Sequence, residues 1–379
     1  MKSSSESGRS LENAAAVRPS YHRRLRLLLA RLAIAGLSGL VALVICEIGV
    51  RLFRPQLLFP RYVTASDFGV RMNVPDARYW HTSPEMRVQF RINSMGIRSD
   101  REYSFEKPEG IIRIVGLGDS FTQGYEVEVE ETYLYRLEEM LRARGLPVEV
   151  INLGVSGYGT AEELIMLREF GLRFDPDVVI VGHYQNDLAD NVRSNLYGLD
   201  ESGELIRVAA SYLPAVRIRD KLYSFWTYRW LAGHSQLFSL VREGMAKLVK
   251  RKMLEGNTGR LGQGEAEQYA AQLEARLLDE MKKLCAQRGI GFLVLDIPSY
   301  SLEESWLPVS LLEHVASDEI VDVAPRLRAE GADAYLYRRR GHFHWTPRAH
   351  EIAAQLLADR LMLGLGGSSA TAKLSESGS

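Results

Sequence analysis

Four short, nearly all-apolar runs recur between residues 111 and 296, each closed by a turn, and this pattern confines the chain to a small set of folds. The first, Ile111-Ile-Arg-Ile-Val-Gly-Leu, runs directly into Gly118-Asp119-Ser120. Val148–Asn152, Asp177–Val181 and Gly291–Asp296 repeat it. Runs this short and this apolar, without a period of two, read as strands buried on both faces of a parallel sheet. Between them lie stretches of helical period. Glu130–Arg144 places Tyr133, Leu137, Met140 and Leu141 on one face and ends at Gly145. Thr160–Phe170, Ala266–Arg288, Glu319–Arg328 and Pro347–Met362 are expected as further helices, and Ala334–Tyr337 as a fifth, short strand. Strand–helix alternation of this kind implies an α/β fold, a three-layer α/β/α sandwich with a mainly parallel sheet.

Two segments fall outside the alternation. Residues 191–263 carry the helical patterns Leu222–Leu231 and Ser235–Leu248 with many aromatic and basic side chains, and read as a helical insertion after the third strand. It would lie near the carboxyl edge of the sheet, as a cap over a ligand site or as a purely stabilising element. Residues 55–110, rich in Pro, Gly, Asn and Asp, read as a packed lead-in to the domain spanning 55–365. Residues 1–22 and 366–379 have the composition of disordered tails.

Residues 23–54 are different in kind. From Leu32 to Val50 the one charge is Glu47, and the run spans about 28 Å as a helix, the thickness of a hydrocarbon core. No small-x-small cleavage site follows it, and Ile45 before Cys46 is too large for a lipoprotein site, so an uncleaved transmembrane anchor is expected. Arg18, Arg23, Arg24, Arg26 and Arg31 precede the span, against Arg51, Arg54 and Arg61 after it. That bias places the N-terminus in the cytoplasm and the domain outside a cytoplasmic (inner) membrane crossed once. Glu47 is positioned to pair with Arg51 one turn on.

The remaining composition mostly excludes. Lys and Arg number 47 against 48 Asp and Glu, a formal net charge of -1, which gives no pull toward nucleic acid. Two cysteines, Cys46 and Cys285, make no disulfide framework. His342, His344 and His350 form the nearest thing to a ligand cluster, without a Cys or carboxylate beside them, so neither a metal nor another cofactor is expected.

The first strand's turn carries the chemistry. Gly118-Asp119-Ser120-Phe121-Thr122-Gln123-Gly124 presents a serine between a buried strand and a helix, at the edge where α/β sheets bind ligands. A phosphate-cradling turn is the alternative, but the spacing fits neither G-x-G-x-x-G nor a P-loop with its lysine. A nucleophilic serine needs a base and donors for the oxyanion. The glycines of Asn152-Leu-Gly154-Val-Ser-Gly157-Tyr-Gly159 can expose a backbone N–H, and Gly182-His-Tyr-Gln-Asn186-Asp187 offers a side-chain amide. His342-Phe-His344-Trp-Thr-Pro347 supplies an imidazole before the last helix.

These four blocks, in this order, resemble the SGNH (GDSL-like) hydrolase superfamily over roughly residues 93–362. The lead-in Asn93-Ser-Met-Gly96-Ile-Arg98-Ser-Asp100 and the exit Glu47-Ile-Gly-Val-Arg51-Leu-Phe resemble membrane-anchored bacterial members. The resemblance implies a flavodoxin-like sheet, Ser120 as nucleophile, His344 as base, and Gly157 and Asn186 as oxyanion donors. It further implies an ester hydrolase or O-acyl transferase acting on an acylated small molecule or glycan. The family places an aspartate two or three residues before the histidine, where this chain has His342 and Gly341. A Ser–His dyad, or a distant acid such as Asp333 or Asp296, would replace it. His342 is an alternative base, whereas His350 and His183 read as packing residues and Asp119 and Asp187 as loop acceptors. A catalytically weak glycan-binding or assembly protein on the same fold is the rival reading.

Overall fold

The computed structural model describes residues 21–56, 58, 62–83, 85–258, 262–300, 307, 315–331, 335–340 and 343–367. They form two units, one ending at Arg54 and one beginning at Pro55. The first is a single helix, α1 (Tyr21–Phe53), long and apolar enough to cross a membrane. Within it Arg51 Nε donates to Glu47 Oε1 at 2.7 Å, the i,i+4 pair expected from the spacing.

The second unit is built on a five-stranded parallel sheet of β1 (Ile112–Gly118), β2 (Val148–Asn152), β3 (Val178–Tyr184), β4 (Gly291–Ile297) and β5 (Ile320–Asp322), in spatial order β5-β4-β3-β1-β2. With strands counted along the chain this is the 2-1-3-4-5 order of doubly wound sheets, whose direction of winding reverses between β1 and β3. Successive residues of β3 show why the strands read as unbroken apolar runs. Val179 and Val181 enter one core while Val178 and Ile180 enter the other. The first core is closed by the helices Thr160–Glu169 and Gln263–Ala286, through Leu164, Leu167, Leu277 and Met281. The second is closed by the helices Tyr133–Ala143 and Pro347–Gly367, through Leu134, Leu137, Ile352 and Leu357. The three-layer α/β/α sandwich expected from the alternation is the architecture found.

Three expectations are corrected. The fifth strand is Ile320–Asp322, paired in register with Val294–Asp296, where a helix was expected over Glu319–Arg328. The helix shrinks to Ala324–Ala329, because the β-branched pair Ile320-Val321 supplies one more strand beside β4. Of the segment expected as that strand, Ala334 lies outside the described residues, and Tyr337 makes a single antiparallel bridge to Trp345. The insertion is not wholly helical: Tyr197–Leu199 and Leu205–Arg207 form a hairpin before its helices. Asp200 Oδ1 accepts from the Ser202 and Glu204 N–H groups, and Gly203 turns at φ 79°, turn chemistry that local helical periods outweighed. After the hairpin come the helices Pro214–Tyr223, Trp226–His234 and Gln236–Thr258.

The lead-in folds into two further hairpins, Val63–Ala65 with Arg71–Asn73 and Arg78–Thr82 with Arg87–Arg91. Its Arg98, fully buried, donates from Nη1 to the Gln123 carbonyl at 2.8 Å and also to the Gly124 and Val127 carbonyls. The guanidinium thereby holds the loop that follows the GDSFTQG turn.

Candidate active site

Ser120 opens the one-turn helix Ser120–Gln123 immediately beyond β1. The turn depends on two neighbours. Gly118 has φ 152°, and a Cβ there would sit 2.0 Å from Thr122 Oγ1, so no other residue fits without moving the helix. Asp119 caps the helix, accepting the Phe121 N–H at 2.8 Å through Oδ1, with Oδ2 3.4 Å from Ser120 Oγ. Burial raises the Asp119 carboxyl to about 6, opposed by that N–H and by the nearby His344.

The structure brings Ser120 and His344 together although 224 residues separate them. His344 Nε2 lies 2.7 Å from Ser120 Oγ, within hydrogen-bond distance. The imidazole is almost completely buried, with the Phe121 ring at 4.8 Å and the Tyr125 ring at 5.0 Å. Two anchors fix its backbone position. Trp345 is fully buried in the second core, and His344 O accepts from the Arg338 N–H at 2.9 Å.

A carboxylate that the sequence reading passed over completes the row. Glu126 is fully buried, and its Oε2 lies 3.7 Å from His344 Nδ1, on the side of the ring away from the serine. That is ion-pair range rather than a hydrogen bond. Among the described residues this is the carboxylate in ion-pair range of His344. Asp296 is buried at the end of β4, in register with His183 and Asp322, and Asp333 and His342 lie outside the described residues. Glu126 was hard to single out because Glu128, Glu130 and Glu131 follow within five residues. Its one signal is position, between Tyr125 and Val127, both buried.

The remaining two predicted residues come from the neighbouring loops. Gly157 sits after β2 at φ 78°, its carbonyl held by the Arg71 guanidinium, which also lies 3.5 Å from Glu162 Oε1. Asn186 opens the helix Asn186–Ser194 after β3, and its Nδ2 donates to Asp190 Oδ2 at 2.9 Å. The β1, β2 and β3 loops thus meet at the reversal point of the sheet, where such folds bind ligands. Asp187 accepts the Tyr184 N–H through Oδ2 at 2.8 Å. His350 is stacked on Tyr133 and accepts its N–H at 3.3 Å through Nδ1, and burial lowers it to about 3. His183 is buried with Nε2 3.5 Å from Glu274 Oε1, likewise lowered by burial to about 3.

Behind this row lies a buried polar layer. Burial raises Glu162 and Glu274 to about 7, and drives Glu163 and Asp187 well above the usual carboxylate range. Glu274 accepts from Thr160 Oγ1 at 2.8 Å and from Asn191, whose Oδ1 accepts the Ala161 N–H at 2.8 Å. These contacts tie the helices Thr160–Glu169, Gln263–Ala286 and Asn186–Ser194 into one block.

Comparison with known proteins finds relatives of the chain. Residues 117–352 match the GDSL-like Lipase/Acylhydrolase family. An arylesterase from Vibrio mimicus is 28% identical over 139 residues, covering 33% of this chain and 68% of that protein. Among solved structures, an acetylxylan esterase from Geobacillus stearothermophilus aligns at a TM-score of 0.39 with 12% identity, covering 66% of this chain and 94% of the other. TesA aligns at 0.36 with 14% identity, covering 66% and 97%. The family match spans the serine turn, the β2 and β3 loops and the histidine block alike, and the chain belongs to the GDSL-like lipase/acylhydrolase family, enzymes that hydrolyse ester bonds.

Proposed function

We propose that the chain is a membrane-tethered serine esterase whose row Ser120–His344–Glu126 attacks acyl esters outside the cytoplasm. The observation that carries this is the 2.7 Å contact between His344 Nε2 and Ser120 Oγ. Ser120 Oγ adds to the ester carbonyl carbon while its proton passes to His344 Nε2. The N–H groups of Ser120 and Gly157 and the Asn186 amide hold the oxyanion. Collapse of the tetrahedral intermediate expels the alcohol, which takes the proton from His344, and leaves an acyl-serine. Water, activated by the same ring, then releases the acid. Glu126 orients the imidazole and offsets the charge it gains, the role the family gives to an aspartate in the histidine block.

Glu126 also weighs against the reading of an inactive glycan-binding relative, whose motivation was the missing aspartate. The acyl group is drawn from esters borne by a small molecule or a glycan, as in the acetylxylan esterase, and a sugar hydroxyl in place of water would make the same acyl-serine an acyl-transfer intermediate. The length and apolarity of α1 support the anchor reading, and the excess of arginine before the apolar run Leu32–Val50 favours an esterase domain on the extracytoplasmic face.

A fluorophosphonate probe tests the core of this proposal. The full-length chain in detergent should label at Ser120 and hydrolyse p-nitrophenyl acetate, and Ser120→Ala should lose both. Equal labelling of wild type and Ser120→Ala, or no labelling of a folded wild type, would show the row to be idle.

A further inference from the structure

Most of the exposed large apolar side chains described beyond α1 are gathered in one stretch, residues 218–253. On the helix Gln236–Thr258, Val241, Met245, Leu248, Val249 and Met253 recur at i, i+4, i+7, i+8 and i+12, a single stripe. Each is between 41% and 63% exposed, where a packed helix would have buried them. The two preceding helices and the link between them expose Ile218, Leu222, Phe225, Trp226 and Trp230 as well. Contiguous exposed apolar surface of this kind marks a binding face.

The charge of the same stretch indicates its partner. Residues 214–258 hold nine Lys and Arg against three Asp and Glu, a net charge of +6 in a chain whose total is -1. On the helical projection Lys247 and Arg251 lie on the side opposite the apolar stripe, whereas Lys252 falls within it. Basic residues around an apolar, Trp-bearing face are the composition of helices that lie in a membrane interface, where indole rings settle at headgroup depth. The chain connection favours the same partner. Gln56, in the first residues of chain after the apolar helix, donates its N–H to Gln236 Oε1 at 3.0 Å, and Thr64 Oγ1 donates to Asp220 Oδ2 at 3.0 Å. The segment that follows the apolar helix in the chain is thus stitched to these very helices, and only a short length of chain separates that segment from the anchor.

We propose that the helices of residues 214–258 form an arm that docks on an anionic phospholipid surface. The arm holds the esterase domain against the bilayer and directs it toward esters presented there. The proposal rests on the anchor reading of α1, and its test separates the two. Full-length chain with Cys46→Ser and Cys285→Ala is labelled with an environment-sensitive fluorophore at Met245→Cys or, as control, at Trp80→Cys on the Arg78–Thr82 strand. It is reconstituted into phosphatidylcholine vesicles with or without 30% phosphatidylglycerol, and retention of α1 is checked by alkaline extraction.

The label at position 245 should be quenched by nitroxide lipids at least about threefold more than that at position 80, and more strongly with phosphatidylglycerol present. Retained chain with both labels equally open to water would overturn the arm and leave the anchor standing. A label at 245 shielded from water but not quenched by lipid would overturn it in favour of a protein face. If α1 is not retained, the anchor reading fails on its own, and co-sedimentation with the same vesicles decides the arm. Binding that weakens about fivefold for each of Lys247→Glu and Arg251→Glu supports it, and no binding to phosphatidylglycerol refutes it.

Discussion

Replacing Glu126 by Gln keeps the shape of the side chain and removes its charge, which isolates what that charge does for His344. When Ser120 loses its proton the ring becomes an imidazolium 3.7 Å from Glu126 Oε2. At an effective dielectric of about 20, Coulomb's law gives about 4.5 kcal/mol at that separation. Each 1.36 kcal/mol is about a factor of ten in rate, so the whole attraction is worth about three decades. Some is recovered by the Gln dipole, and kcat for p-nitrophenyl acetate should fall by about 10²–10³-fold. KM should stay within about threefold, because Glu126 lies on the side of the ring away from Ser120. The thermal midpoint, followed by circular dichroism, should stay close to that of wild type, since the shape of the buried side chain is kept. Asp333→Asn and Asp296→Asn are the comparison, and both should retain at least a third of wild-type kcat. A Glu126→Gln enzyme at full speed, or an Asp333→Asn enzyme slower than it, would refute the assignment of Glu126 and return the orienting role to another acid.

Three further outcomes follow from the site's surroundings. Gly118→Ala should destabilise the fold by about 2–4 kcal/mol in urea titration, since its Cβ meets Thr122 Oγ1 at 2.0 Å and its φ is 152°. Arg98→Ala strands the Gln123, Gly124 and Val127 carbonyls, and should cost about 3 kcal/mol or more while lowering kcat, because the loop it holds carries Glu126. The buried carboxyls predict a stability that falls with pH. A group raised on folding holds more protons folded than unfolded, so its contribution is lost as pH climbs from the unfolded value through the folded one. Asp119, Glu162 and Glu274, raised to about 6, 7 and 7, act below neutrality, and Glu163 and Asp187 extend the fall above it. His183 and His350, lowered to about 3, oppose them, but only up to the ordinary histidine value near 6.5. Between about pH 6.5 and 8.5 the urea midpoint should therefore drop, and Glu163→Gln should flatten the drop; a midpoint that rises over that interval contradicts the penalty that burial sets on the charged forms of these acids.

The sheet was legible in the sequence because its strands are buried twice over. Val178 to Val181 must be apolar at every position to fill two cores at once, and such a run has no other common reading. The short strand Ile320–Asp322 was not legible: three residues at a sheet edge carry no period, and Ala324–Ala329 extends a helical pattern back over them. At the site the same contrast holds. Ser120, Gly157, Asn186 and His344 occupy turns whose Gly, Asn and Pro residues announce them, and the structure sets those turns side by side. Glu126 has no such punctuation. What selects it from four nearby glutamates is that Arg98, some thirty residues upstream, holds the Gly124–Val127 loop by its carbonyls. Glu126 thereby faces a histidine more than two hundred residues downstream. That is a relation between three distant segments, and no local pattern encodes it. The absence of an aspartate before His344 was visible in the sequence, but the residue that answers it becomes visible only when the loop after the nucleophile is closed. The acid can therefore move between loops while serine and histidine stay in place: the imidazole needs a negative charge near Nδ1, and nothing in that requirement fixes the strand from which it comes.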